Sequence, residues 1–449
     1  MKYIIPILLL FCLTACEKMV TINPPLDQLT AASVFSDSVT ASSVAASMYS
    51  ALNTNEYGNT TSMTVLGGYC ADEFTGYVLT SSIPYVNNQI PAEPGTGPWA
   101  GLYKVIYKAN DLLEQLDQTK ALSPAFIKQL SGEAKFMRAF SYFYLVNFYG
   151  KVPLITSTNV AQNSAAPRSD TALVYAQIIN DLTSAQTLLS VNYLTGEKVR
   201  ANKWAATALL ARVYLYLKDY KNAEQSSAQV TGSGIYTPLN APGNVFLKNS
   251  QEAILQFWTP LGYSFGIVLN SGNITSGIPP SVIFTKNLAD AIEPGDIRKT
   301  NWVGTTTYQA VTYYYCTKYK QRTTTTGSAI EYTMALRAAE QYLIHAEAVA
   351  QQNRVSEAVV DLNIVRARAS LPAISASISK DSCIRAIAKE NRVEMMGEWA
   401  QRWFDLKRTG QTDAVLGALK PTWKPTAVLF PIPAIELLKN PFLIQNDGY

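Results

Sequence analysis

Apolar residues recur every three or four positions over most of the chain, and this spacing predicts amphipathic helices. Short polar stretches join neighbouring helical segments, a pattern typical of antiparallel helix pairs. The predicted fold class is therefore mainly α, a helical body with tetratricopeptide-like helix pairs, irregular loops and a few short strands. The predicted helices span residues 30–52, 99–116, 124–149, 170–189, 202–217, 222–230, 334–351, 356–369, 390–410 and 434–438.

Two segments support the helix-pair prediction most directly. Residues 208–223 resemble a tetratricopeptide repeat, with small residues where helices would touch and an aromatic residue and an alanine after the turn. Residues 334–369 form a second such unit. Because the units are unevenly spaced, the pattern does not predict a simple solenoid. Ser123 followed by Pro124 predicts a helix start, since serine caps helices and proline suits the first helical position.

The segment 390–410 carries the strongest periodic signal. Met395, Trp399 and Trp403 are spaced four apart, which would place them as one stripe on a continuous helix. Glu398 and Arg402 would form a solvated ion pair on the next face. A glycine at position 397 is unfavourable inside a helix, so close packing against another backbone is expected there.

Two stretches interrupt the helical pattern, at about 53–98 and 231–333. Both are rich in Gly, Pro, Thr, Asn and Tyr, and the second contains two predicted strands, at 253–258 and 308–319. Loops of this length inside a compact protein are usually functional.

The N-terminus predicts a lipoprotein. An apolar run of ten residues, 4–13, is too short to span a bilayer and ends in Leu13-Thr14-Ala15-Cys16, which resembles a bacterial lipoprotein signal. We therefore expect a signal peptide at 1–15, lipidation of Cys16, a tether at 16–29 and a single domain at 30–449. An ordinary secretory leader with a coincidental cysteine is the alternative. Cys70, Cys316 and Cys383 are far apart and provide at most one disulfide.

Composition narrows the functional classes. Charged residues make up only 16% of the chain and the net charge is +4 without a basic run, which argues against nucleic acid as a partner. The single histidine, His345, excludes a histidine-rich metal site, and no cofactor motif is present. Asp72 with Glu73, or Glu394 with Glu398, could form a carboxylate pair, but we predict no catalytic residues. The 26 tyrosines, many in the irregular stretches, instead indicate a ligand surface.

Four stretches together carry a family pattern: 336–348, 362–369, the segment 390–410 and the tail 431–449. They resemble the SusD/RagB family of surface glycan-binding lipoproteins, although Asp447 replaces the proline common in that family before the final Gly-Tyr. The resemblance implies four tetratricopeptide-like helix pairs with loops that carry the ligand site. It also implies a SusC-like TonB-dependent outer-membrane transporter as partner, an oligosaccharide ligand, and attachment to the outer membrane facing the exterior.

Sugar recognition needs flat aromatic side chains and polar edges on loops held by a rigid body. The ligand-binding candidates are Tyr69, Asp72, Tyr85, Asn87, Asn88, Trp302 and Tyr313. Three further functions stay open: uptake of peptides by the same kind of importer, a tetratricopeptide-type scaffold for partner proteins, and a lipid-anchored hydrolase using Asp72 or Glu73.

Overall fold

The computed structural model describes residues 34–57, 62–93, 97–258, 277–321 and 330–449, with side chains from 34–53 in the first range. The predicted signal peptide, Cys16 and the tether lie outside these ranges. Within them, the helices are α1 (Ser38–Tyr57), α2 (Met63–Cys70), α3 (Ile83–Val86), α4 (Trp99–Gln118), α5 (Pro124–Tyr149), α6 (Val160–Asn163), α7 (Thr171–Leu188), α8 (Lys203–Tyr216), α9 (Tyr220–Thr231), α10 (Lys286–Ala291), α11 (Arg298–Trp302), α12 (Ala338–Gln351), α13 (Val355–Arg368), α14 (Lys380–Glu394), α15 (Gln401–Arg408), α16 (Thr412–Leu419) and α17 (Ala434–Lys439).

The mainly α prediction is confirmed. The long helices pack in series, each against the next: α1, α4, α5, α7, α8, α9, α12 and α13. Ser123 caps α5 by accepting the amide N–H of Phe126 at 3.3 Å, as its sequence position predicts. Asn202 caps α8 in the same way, with the amide of Ala205 at 3.0 Å.

The strands form four antiparallel pairs among the described residues: β1 (Phe74–Gly76) with β5 (Val282–Phe284), β2 (Val152–Pro153) with β3 (Arg168–Ser169), β4 (Ala253–Phe257) with β8 (Thr333–Arg337), and β6 (Val303–Tyr308) with β7 (Val311–Cys316). Two predictions need correction: residues 334–337 belong to a strand instead of a helix, and α2 is a buried helix inside the stretch predicted to be irregular. The strand predicted at 308–319 is present as β7, at 311–316, and is the second strand of a hairpin.

The continuous helix predicted over 390–410 was wrong. α14 ends at Glu394 and α15 begins at Gln401, and Gly397, Trp399 and Ala400 between them have φ of +68°, +49° and +58°. Tertiary hydrogen bonds hold this left-handed segment, because the Trp399 indole N–H donates to the Met334 carbonyl at 2.7 Å and its amide donates to Thr64 Oγ1 at 3.0 Å. Gly397 therefore supplies a positive φ, which glycine adopts without steric cost.

The predicted surface pair of Glu398 and Arg402 was also wrong. Glu398 is buried and accepts from Lys318 at 2.6 Å and from Arg337 at 2.8 Å. It belongs to a buried charge network that joins α11, β8 and α13 to α14. The network comprises Glu252, Asp296, Arg298, Lys318, Arg337, Arg366, Arg368, Glu390, Glu394 and Glu398.

Glu252 makes this network pH-dependent. Its two carboxylate oxygens are buried without a hydrogen-bond partner, and its neighbours Arg337 and Arg368 are 3.7 and 4.0 Å away. Burial raises the pKa of Glu252 from 4.5 to about 7. Because the folded state then binds the proton more tightly than the unfolded state, stability from this group is present below pH 4.5 and is lost as the pH rises through 7.

We expect Glu252→Gln to gain stability relative to wild type as the pH rises from 5 to 8. The unfolding free energy of the variant minus that of wild type should increase by up to about 3 kcal/mol over this range. Urea unfolding of both proteins at the two pH values measures this difference. The pKa of Glu73 is also raised to about 7 by burial, but that carboxyl is present in both proteins and cancels. A difference in unfolding free energy that is independent of pH would show that Glu252 is charged in the folded state at both values.

The indole of Trp403 lies fully buried with its ring centre 6.2 Å from that of Trp423, which agrees with the core position expected from its stripe. Trp403→Ala should therefore lower the free energy of unfolding by about 3–5 kcal/mol. Trp258, the last residue of the strand predicted at 253–258, is 52% exposed. Trp258→Ala is the matched control and should cost less than half as much in the same urea titration. Equal effects would contradict the burial difference.

The C-terminal tail packs on the body, with Leu443 against the core and Phe442 and Ile444 exposed. The Asn446 side-chain amide donates to the carbonyls of Tyr149 and Phe430 at 2.9 and 2.8 Å. Cys70, Cys316 and Cys383 are buried free thiols, so the bridge that the sequence left open is absent from this part of the chain.

Candidate functional site

One wall of the candidate site is built on β1 and β5. Phe74 of β1 lies opposite Phe284 of β5, and their rings stack with centres 5.7 Å apart and an interplanar angle of 4°. Tyr77 directly follows β1, and its amide donates to the Ser281 carbonyl at 2.9 Å. This hydrogen bond continues the strand pairing past the end of β1 and holds the Tyr77 backbone, from which the side chain projects.

The second wall is the hairpin of β6 and β7, which lies beside β5. Its two turn residues, Gln309 and Ala310, have φ of +50° and +64°. The register pairs Tyr308 with Val311, and side chains two residues apart on a strand share a face. Tyr308, Val311 and Tyr313 therefore lie on one face of the hairpin.

Tyr77 meets this face and completes a cluster of Tyr77, Tyr308 and Tyr313, which we call the tyrosine cluster. The Tyr77 ring lies edge-on to both others, with ring centres 6.3 Å from Tyr308 and 5.3 Å from Tyr313. Each of the three side chains is partly exposed, and Val78 and Val311 beside them are 85% and 50% exposed. Partial desolvation and the two neighbouring hydroxyls raise the pKa of Tyr77 above its ordinary value.

Such an arrangement can hold an amphipathic ligand. Edge-on packing braces the rings against each other while part of each remains open to solvent. Rings provide apolar surface, and phenolic hydroxyls can both donate and accept hydrogen bonds.

Asp72 and Asn87 are half-buried polar residues near β1. Asp72 precedes β1, with φ of +58°, and its Oδ2 accepts from the Asn287 side chain at 3.1 Å. It lies five residues before Tyr77, so the two are roughly 16 Å apart along an extended strand. The Asn87 carbonyl accepts from Thr422 Oγ1 at 2.7 Å. The structure thus brings Tyr313 into the cluster but places Asp72 at the other end of β1.

Four of the predicted site residues were wrong, because the fold buries their side chains. Tyr69 lies within buried helix α2 and is 1% exposed, and Tyr85 is 6% exposed against Phe430. The Asn88 amide is used internally, donating to the Cys70 carbonyl at 3.4 Å and accepting from Lys420 at 2.8 Å. Trp302 is fully buried, donates its indole N–H to the Pro242 carbonyl at 2.7 Å, and lies 4.4 Å from the Lys318 ammonium. None of these four can present a face to a ligand at the surface.

Tyr77 and Tyr308 were not selected from the sequence. The signal for Tyr308 was present, since 303–308 and 311–316 are two β-branched and aromatic runs separated by two residues, the spacing of a tight hairpin. That turn lacks the glycine or asparagine that usually marks it. Tyr77 had no local signal, because its contacts are with residues more than 200 positions away.

The candidate catalytic groups have structural partners. Glu73 is buried with its Oε1 3.8 Å from Arg392, whereas Asp72 contacts Asn287, so the two carboxylates do not converge. The His345 ring nitrogen Nδ1 lies 2.5 Å from Asp361 Oδ2, between α12 and α13. Within the described ranges, histidine, cysteine and carboxylate side chains form no group of three that could hold a metal ion.

Models of known protein families match both the N-terminal and the C-terminal part of the chain. Residues 26–215 match a SusD-like family model described as "Starch-binding associating with outer membrane", and residues 297–449 match the model of the SusD family. The chain belongs to the SusD/RagB family. The second match contains the segment 390–410 and the tail, on which the resemblance depended.

Relatives within the SusD/RagB family are similar over most of their length. A SusD-like protein of Bacteroides ovatus is 28% identical over 376 residues, 72% of this chain and 67% of that protein. SusD-like protein P25 of Formosa agariphila is 24% identical over 83% of this chain and 82% of its own.

Solved SusD structures share the fold. A SusD superfamily protein from Parabacteroides distasonis has a TM-score of 0.79 at 23% identity, covering 94% of this chain and 100% of that chain. A laminarin-binding SusD-like protein has a TM-score of 0.78 at 26% identity, covering 92% and 99%. SusD family proteins bind carbohydrate and associate with the outer membrane. In the described part of this chain, none of the helices combines the length and apolarity needed to cross a bilayer.

Proposed function

We propose that this protein binds an oligosaccharide at the tyrosine cluster, without chemically altering it, and passes it to a SusC-like TonB-dependent outer-membrane transporter. The observation that carries the proposal is the partly exposed set of Tyr77, Tyr308 and Tyr313, held by two strand pairs on a rigid helical body. Sugar rings have apolar C–H faces that stack on aromatic rings, while the tyrosine hydroxyls of the cluster donate and accept hydrogen bonds.

Several features support a non-catalytic role. Asp72 and Glu73 contact different partners, and Glu73 is only 3% exposed, so a substrate in solution would not reach it. His345 is engaged with Asp361. Carbohydrate binding without turnover agrees with what is general in the SusD family.

The proposed location is the outer face of the outer membrane, attached through acyl chains on Cys16. The leader and its Leu13-Thr14-Ala15-Cys16 sequence support this attachment. Two or more acyl chains on one residue would provide stable anchoring without a membrane-spanning helix.

Titration calorimetry with oligosaccharides from laminarin, starch, xylan and pectin tests the binding step. Laminarin is the first choice because a structural relative binds it. We expect binding of at least one of these ligands with no new product detected by chromatography after prolonged incubation. Tight binding of peptides with no binding of any of the four glycans would replace the sugar by a peptide as ligand, and formation of cleavage products would indicate an enzyme.

The transporter step has its own test. Affinity purification of the chain from its native outer membrane should recover a TonB-dependent barrel, and Cys16→Ser should abolish membrane attachment. Recovery of soluble partner proteins without a barrel would favour a tetratricopeptide-type scaffold.

A further inference from the structure

A cavity of about 660 Å³ is formed mainly by α14 and α15, and no residue of the tyrosine cluster lines it. Lys218, Tyr220 and Val415 of α16 also line it. A cavity of this size is within the range of small-ligand sites. We call it the arginine pocket, after Arg385, Arg392, Arg402 and Arg408 in its lining.

The arginine pocket has an excess of positive charge. Six lining residues are basic, and the two acidic ones, Glu347 and Asp405, are both engaged by Arg408 at 2.6 and 2.7 Å. Lys389 pairs at 3.2 Å with Glu293. Lys218, Arg385 and Arg402 are then left without an ion pair among the described residues, and Arg392 has only Glu73 Oε1, at 3.8 Å.

Arg392 and Arg402 are the two least satisfied of these cations. The Nε atoms of both are buried without a hydrogen-bond partner, and so is Glu73 Oε1 beside them, which is 3.8 Å from Arg392 and outside hydrogen-bonding range. Arg402 makes no hydrogen bond or ion pair with any described residue. Burial and then the neighbouring Arg392 lower the pKa of Arg402 below its ordinary value. Two neighbouring, poorly solvated guanidinium groups repel each other, and an anion between them would remove that cost.

We infer that the arginine pocket binds an oxyanion carried by a saccharide, a uronic-acid carboxylate or a sulfate ester, with Arg392 and Arg402 as its principal contacts. Guanidinium groups suit both anions because their planar N–H donors match oxyanion geometry. Apolar side chains in the same lining, such as Ile384, Leu406 and Val415, offer surface for the sugar ring. The choice of a saccharide rests on the proposed function, whereas the anion preference rests on the pocket's charges alone.

Three matched probes separate charge from sugar: methyl glucuronide, glucose 6-sulfate and neutral methyl glucoside, each titrated into the full chain and followed by ligand-observed NMR. We expect at least one acidic probe to bind tenfold or more tightly than the glucoside, and to be weakened by added salt. Arg402→Gln and the exposed rim variant Arg385→Gln should each reduce that affinity, the first by at least tenfold. Lys128→Gln, which removes the same charge from an exposed position on α5, should leave it unchanged.

A structural readout accompanies these titrations. Because Arg402 has no partner to lose, Arg402→Gln should not lower the urea midpoint, whereas a purely structural arginine would. Binding of glucose 6-sulfate alone supports the pocket with a sulfate ester as its anion, and binding of methyl glucuronide alone supports it with a uronate. Equal affinity for acidic and neutral probes, no binding of either acidic probe, or full affinity in both arginine variants would overturn the inference.

The outcome is separable from that of the proposed function. If the protein binds laminarin oligosaccharides but neither acidic probe, only the inference about the arginine pocket is overturned, and the proposed function stands. A chain that binds an acidic probe through Arg402, and keeps that affinity in Tyr77→Ala with Tyr313→Ala, supports the pocket whether or not the tyrosine cluster binds a neutral glycan.

Discussion

Glu394→Ala is expected to destabilise the protein by at least about 5 kcal/mol, enough to prevent folding of a marginally stable domain. The carboxylate is fully buried and contacts Arg337, Arg368 and, at 2.8 Å, Arg298. Burial alone would raise its pKa, but Arg368, Arg337 and Arg298 hold the pKa well below its ordinary value. Removing the carboxylate leaves three buried guanidinium groups short of a partner, and an unpaired buried charge costs several kcal/mol.

Urea unfolding, or the soluble yield if no folded protein is obtained, measures this effect. Glu357→Ala is the matched control, because Glu357 is exposed and pairs with Arg354 at 3.0 Å on the surface of α13. Exposed pairs contribute at most about 1 kcal/mol. Similar unfolding free energies for the two variants would show that the network around Glu394 is not what joins α14 to α11, β8 and α13.

This network also shows where reasoning from the sequence stops. Periodicity located the long helices, and Ser123 marked the start of one of them, because these signals act within a few residues. Glu398 has Arg402 four positions away, yet it pairs with Lys318 and Arg337, which are 80 and 61 positions away. Only the tertiary fold decides between a local and a distant partner.

The break after α14 has the same origin. Nothing local predicts a left-handed tryptophan, since that conformation is unfavourable for a bulky side chain. Trp399 adopts it because Met334 and Thr64 provide hydrogen bonds from other parts of the chain.

Two glycines explain why Tyr69 was wrongly predicted to lie in the ligand site. Gly67 and Gly68 lie in the stretch 53–98 that was predicted to be irregular, so Tyr69 beside them was expected on a loop. In the structure they allow α2 to pack closely, since a Cβ on Gly67 would lie 2.2 Å from Ala400 Cβ and one on Gly68 would lie 2.2 Å from the Phe74 ring. Tyr69 is therefore carried into the core with its helix, while Tyr77, beyond β1, reaches the surface. Composition predicted an aromatic ligand surface, but the choice among tyrosines needed the strand pairing.

The second large effect concerns ligand affinity. Replacing both Tyr77 and Tyr313 with alanine should weaken oligosaccharide binding by at least about 30-fold, the equivalent of roughly 2 kcal/mol, because truncation of a central aromatic anchor commonly costs that much. Both side chains are partly exposed, so the free energy of unfolding should stay within about 1 kcal/mol of wild type. Tyr107→Ala is the matched control, because Tyr107 is 52% exposed on α4 and lies outside the cluster.

Calorimetric titration of a laminarin hexasaccharide into wild type, the double variant and Tyr107→Ala tests the central claim most directly. The account predicts binding by wild type and by Tyr107→Ala with equal affinity, and a loss of at least about 30-fold in the double variant. Undiminished affinity in a folded Tyr77→Ala with Tyr313→Ala variant would contradict it and would place the glycan site elsewhere on the molecule.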